Sequence, residues 1–101
     1  MNPQELQDKA WLGDAVLSLY AREWLLRHPL DSDLTRSQLF IRMTSNNFLS
    51  GLGDPTRIEA EIGLIYEQQG LTAAFQHIQE KILPLFLRQM AKRQRGLRGS
   101  R

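Results

Sequence analysis

The sequence predicts an all-α domain, and three observations carry that prediction. Apolar residues recur at helical spacing along most of the chain. No stretch alternates strictly between apolar and polar residues, so no half-buried strand announces itself. Pairs of cap residue and proline stand where helices would begin, at Asn2-Pro3 and Asp54-Pro55. With 101 residues, 42% of them hydrophobic, the chain has material for one core and no room for two. A domain of this size buries only about 60–70% of its unfolded surface, so a second copy would add stability.

The elements follow in order. The first helix starts at Asn2-Pro3 and carries Leu6, Ala10, Leu12, Val16, Leu19, Tyr20, Trp24, Leu25 and Leu26 as its apolar positions; His28-Pro29 ends it. The second starts near Asp33 and runs through Leu34, Gln38, Leu39, Ile41 and Met43, until Thr44-Ser45-Asn46 reads as a break and a new cap. A short third helix occupies about 47–52 and stops at Gly51 and Gly53. The fourth follows Asp54-Pro55 from Thr56 to about Gln69, with Ile58, Ile62, Ile65 and Tyr66 on one stripe, and Gly70 closes it. Thr72 is the expected cap of the fifth, whose apolar positions are Phe75, Ile78, Ile82, Leu85, Phe86 and Met90. Pro84 predicts a kink or split inside that helix, and the chain is expected to fray after Gly96. The organisation is therefore about five helices over residues 1–90 and a basic C-terminal tail over 91–101.

Composition narrows the chemistry. The chain has no cysteine, which excludes disulfides, thiolate catalysis and cysteine-type zinc sites. The N-terminus lacks the basic-then-apolar order of a signal peptide, and no apolar run approaches the ~20 residues of a membrane span. The expectation is a cytoplasmic protein with no membrane partner. Charge is distributed unevenly. Residues 1–87 hold seven basic and eleven acidic groups, net −4, whereas residues 88–101 hold six basic groups and no acid, net +6. Arg88, Lys92, Arg93, Arg95 and Arg98 are thus candidates for contact with nucleic-acid phosphates, without aromatics for base stacking. The plainer reading of such a tail is a solvated arm.

"KAWLGDAVLSLY", residues 9–20, places a glycine and an aspartate inside an apolar helical pattern. Glycine costs a helix interior roughly 1 kcal/mol relative to alanine. A second helical glycine, Gly63, follows Glu59 by one turn. If the two helices cross closely at Gly13 and Gly63, Asp14 and Glu59 converge, and two convergent carboxylates suit a hard divalent cation such as Mg²⁺. The alternative is that both glycines serve packing alone and both acids are ordinary helix-surface residues. Glu61 falls nearly opposite Glu59 and does not join the pair. His28 and His77 have no second histidine at metal spacing, no serine or threonine has a neighbouring base, and "SGLGDP" is a helix end and turn rather than a phosphate loop.

These segments resemble a known family. "WLGDAVLSLYAREWLL", residues 11–26, resembles the signature helix of the ribonuclease III endonuclease domain, whose general form is E-x-x-E-F-L-G-D-A-V-L. "IEAEIGLIYEQQG", residues 58–70, is similar to the second acidic block, D-x-x-E-A-L-I-G-A-I-Y-x-x-x-G, and "LTRSQLFIRMTSNNFLSGLG", residues 34–53, to the helix pair between. The resemblance covers roughly residues 3–90. It implies an all-α homodimer that binds Mg²⁺, or Mn²⁺ in its place, and hydrolyses structured or double-stranded RNA. Carried over position by position, Asp14 and Glu59 are the implied catalytic and metal-binding carboxylates. Trp11 stands where the family has a phenylalanine that plugs into the partner subunit. Several family acids are absent: Gln7, Ala10 and Thr56 occupy three of their positions, and Asn46 or Asn47 a fourth. A site of four carboxylates is reduced to two, in the form of the Mini-III branch. The longer basic segment before the second acidic block is replaced by "GLGDP". Three readings stand: a Mg²⁺-dependent endoribonuclease, an inactive dimer that binds RNA or a ribonucleoprotein, and a helical interaction module unrelated to RNA.

Overall fold

Asn2 starts the longest helix. Its side chain accepts a hydrogen bond from the Glu5 N–H at 2.8 Å, and Pro3 supplies a first residue already at helical φ. The result is α1 (Pro3–Arg27). His28 closes α1 as expected: its backbone N–H donates to the Trp24 carbonyl at 2.9 Å, and its ring stacks on Trp24 with centroids 4.6 Å apart. The computed structural model describes the backbone of residues 1–99 and the side chains of residues 1–96, and among them every regular element is a helix.

The second helix begins later than the sequence predicts. Thr35, not Asp33, is its cap, because Thr35 and Gln38 form a reciprocal capping box: Gln38 N–H donates to Thr35 Oγ1 at 3.1 Å and Thr35 N–H to Gln38 Oε1 at 2.9 Å. That sets α2 as Arg36–Thr44. Ser45 caps the single-turn α3 (Asn46–Leu49), three residues shorter at its end than expected. Asp54 accepts from Arg57 N–H at 3.1 Å and starts α4 (Pro55–Gln69). Gly70, at φ 94°, ends α4 and also stands at the start of α5 (Leu71–Lys81); the expected cap Thr72 lies within α5 and caps nothing. The predicted split occurs at Ile82, placing Pro84 in the first turn of α6 (Leu83–Gly99), where its missing N–H is harmless. The helix continues through Gly96 to Gly99, so the division at residue 90 falls inside one continuous element.

Helix α1 is the axis of the molecule. Helix α4 makes the most extensive contact with it, α2 and α5 pack on it as well, and α6 lies on α5 and α2. Leu17, Leu49, Ile62, Ile78 and Phe86 are the largest fully buried side chains, each stabilising the fold by about 1.5–3 kcal/mol through transfer out of water. Aromatic edges lock the layers: Tyr20 against Phe75 at 5.3 Å, and Trp24 against Phe86 at 5.9 Å. Two expected core positions on α1, Leu19 and Leu26, are exposed instead; the buried stripe uses Leu17 and Ala21. Among the described residues no helix is long and apolar enough to cross a membrane.

Candidate functional site

The crossing of α1 and α4 has almost no space in it. A Cβ built on Gly13 would overlap the Glu59 carbonyl oxygen and lie 2.6 Å from the Glu59 carbonyl carbon and 2.9 Å from Gly63 N. A Cβ on Gly63 would overlap the Lys9 carbonyl oxygen and lie 3.0 Å from Gly13 N. Each glycine therefore faces the other helix's backbone. Because Lys9 meets Gly63 while Gly13 meets Glu59, the two helices run antiparallel. A Lys9–Glu67 ion pair spans the same crossing one turn away.

This crossing brings together the two predicted carboxylates. Asp14, next to Gly13, is exposed at the mouth of the crossing, and Glu59, opposite it on α4, is half-buried. The Asp14 carboxyl lies close enough to Glu59 to perturb it. Burial, then the hydrogen bond to Asp14, then the repulsion of the Asp14 charge push the Glu59 carboxyl up to about 8. Burial and the neighbouring Asp14 charge thus both favour the protonated form of Glu59. The aspartate that looked misplaced in an apolar helix costs little, since solvent reaches it.

The arrangement has the donor chemistry of a hard-cation site: oxygen donors, one solvent-facing and one half-buried. Among the described residues no group of three or more His, Cys, Asp or Glu side chains gathers. Two carboxylates fit Mg²⁺, which keeps several waters and often takes one or two carboxylates plus substrate phosphates. The other acids have separate roles. Glu61 faces His77 of α5 at 3.8 Å, Glu23 pairs with Arg27 at 3.3 Å, and Glu67 holds Lys9.

The remaining predicted residues lie on other surfaces. Trp11 is 81% exposed on α1, three residues before Asp14. Arg88, Lys92 and Arg95 are exposed on α6. Arg93 turns inward: it donates to Asp33 Oδ2 at 2.7 Å, and its Nε is buried without a partner. The side chain of Arg98 lies outside the described residues. Sequence reasoning missed the groups beside the α6 cations, Arg42, Asn47 and Gln89, which line one depression between α2, α3 and α6; no spacing along the chain joins residues so far apart. The chain matches no family model, no curated protein and no solved structure.

Proposed function

We propose that this protein is a Mg²⁺-dependent endoribonuclease of the ribonuclease III type, closest to the Mini-III form, acting as a cytoplasmic homodimer on structured or double-stranded RNA. The observation that carries the reading is the meeting of Asp14 and Glu59 at a crossing so tight that glycine is required on both helices. That use of two glycines is costly to both helices, and packing alone does not call for two acids at its mouth. The motif resemblance of residues 11–26 and 58–70 supports the same assignment.

In this reading Asp14 and Glu59 hold the ion, directly or through water. The ion supplies Lewis-acid stabilisation of charge at a phosphodiester and lowers the pKa of a nearby water. Asp14, open to solvent, and Glu59, half-buried beside it, would be the two ligands from the protein. The rigid backbone contact of Gly13 with Glu59 keeps both carboxyls in place. Trp11, exposed on the face of α1 that also carries Ala15, provides the contact with a second subunit. Arg88, Lys92, Arg95 and Arg98 supply phosphate contacts; Arg93 is held by Asp33 and serves the fold of α6.

The test is incubation of a base-paired RNA with the protein in Mg²⁺ and in EDTA. Cleavage requiring the metal and lost in Asp14→Asn and Glu59→Gln is the expected result. Cleavage that persists in both variants overturns it. Light scattering on wild type and Trp11→Ala reads the dimer, which the substitution should dissociate. A second reading, an inactive RNA-binding dimer, is favoured by one observation: only two carboxylates gather among the described residues, where the family has four. It predicts RNA binding without metal-dependent products.

A further inference from the structure

Helix α6 sorts its cations onto two sides. Arg93 and Gln94 point to the loop between α1 and α2, where Arg93 donates to Asp33 at 2.7 Å and Gln94 Nε2 donates to the Asp31 carbonyl at 3.2 Å. These two bonds fix the roll of α6 about its axis. Arg88, Lys92 and Arg95, at spacings of four and three, then share another face, and all three are exposed there. They line one shallow depression together with Gln89. Gln89 also lines the neighbouring depression, which adds Arg42 from α2 and Asn47 from α3. The two depressions join through Gln89, and no acidic residue lines either one.

We propose that this surface, Arg42–Asn47–Gln89–Arg88–Lys92–Arg95, is a track for the sugar–phosphate backbone of RNA. The proposal rests on the RNA reading above and adds where the strand runs. It also adds three residues from outside the basic tail, two of them from other helices. Arg88 to Arg95 covers about 10 Å of helix axis at ~1.5 Å per residue, a row of point charges suited to successive phosphates. Arg42, Asn47 and Gln89 extend the row with one further charge and two amide side chains that donate to phosphate or ribose oxygens. Phe48, the aromatic that lines the first depression, is buried, so its ring offers bases no stacking face. A lipid surface fits less well. A membrane-binding helix needs an apolar side free to enter the bilayer, whereas α6 uses Leu83, Leu85, Phe86 and Met90 against the protein core.

The experiment is fluorescence anisotropy with a labelled RNA duplex in EDTA, so that binding is read without cleavage, over a series of KCl concentrations. Each lost phosphate contact lowers the slope of log K against log salt by about 0.7–0.9. The triple variant Arg88→Gln/Lys92→Gln/Arg95→Gln should flatten the slope by about 2–3 relative to wild type. Arg42→Gln should flatten it by about 1. Gln89→Ala and Asn47→Ala should weaken binding with the slope unchanged. A charge-matched control, Arg27→Gln/Arg36→Gln/Lys81→Gln, should keep the wild-type slope. Single substitutions at Arg88 and Lys92, each expected to remove about one contact, keep the test decisive if the triple variant folds poorly. Equal slopes for the triple variant and its control overturn the track while leaving the RNA reading in place. Failure of the wild type to bind duplex at low salt overturns both. Binding to vesicles of phosphatidylcholine and phosphatidylserine that depends on the three cations, without RNA binding, would replace RNA by an anionic membrane.

Discussion

Gly13→Ala is the sharpest test of the α1–α4 crossing. In an ordinary exposed helix this change stabilises by roughly 1 kcal/mol, because alanine restricts the unfolded chain and favours helix. Here the added methyl would sit 2.6 Å from the Glu59 carbonyl carbon, against 3.4–4 Å for ordinary van der Waals contact. The obstructing atoms are backbone, which no rotamer change can move, so the helices must separate by about 1.5 Å. Overpacking costs about 1–3 kcal/mol, and a clash with backbone on both helices puts this change at the upper end, about 3 kcal/mol. Net of the propensity gain, the expected loss is about 2 kcal/mol. In a domain of this size that lowers Tm by roughly 8–16 °C. Circular dichroism melts of wild type, Gly13→Ala and Gly96→Ala measure it. Gly96 lies on α6 with nothing within 4 Å of an added Cβ, so its substitution should raise stability by about 1 kcal/mol. If Gly13→Ala also raises Tm, the helices are not in backbone contact and the account of the site fails.

Gly63→Ala should destabilise by a similar amount, about 2 kcal/mol, since its Cβ meets the Lys9 backbone; a melt unchanged from wild type would contradict the reciprocal crossing. The Glu59 carboxyl, raised from 4.5 to about 8, makes a pH prediction. The folded state keeps a proton that the unfolded state has already lost, so the stabilising contribution is complete below about 4.5 and disappears as pH rises to about 8. Wild-type Tm should fall relative to Glu59→Gln over that interval in EDTA, and Mg²⁺ should restore it at pH 8; parallel pH profiles for the two proteins would refute it. Thr35→Ala removes the α2 capping box and should cost about 1 kcal/mol, read as a lower urea midpoint with the m-value unchanged.

Much of the fold is legible in local chemistry. Asn2-Pro3, Asp54-Pro55, Ser45, Gly70 and Pro84 each mark a boundary because a cap, a φ restriction or a missing N–H acts within a turn of where it stands. The failures share a cause. Asp33 and Thr35 are both competent caps, and the Gln38 side chain decides between them while Arg93, sixty residues away, takes Asp33. Leu19 and Leu26 are apolar in a helix that others cover on one side only, and which side is decided by the two glycines.

The sequence by itself determined the all-helical class, the order of the helices and the pairing of a glycine with an acid on two of them. These depend on interactions spanning a few residues. Only the tertiary structure decided that Gly13 and Gly63 face each other, that Asp14 therefore reaches Glu59, and that Arg93 turns inward while its neighbours on α6 face out. Such outcomes depend on the register and roll of helices packed across the core, which steric fit between distant residues sets and no local pattern encodes.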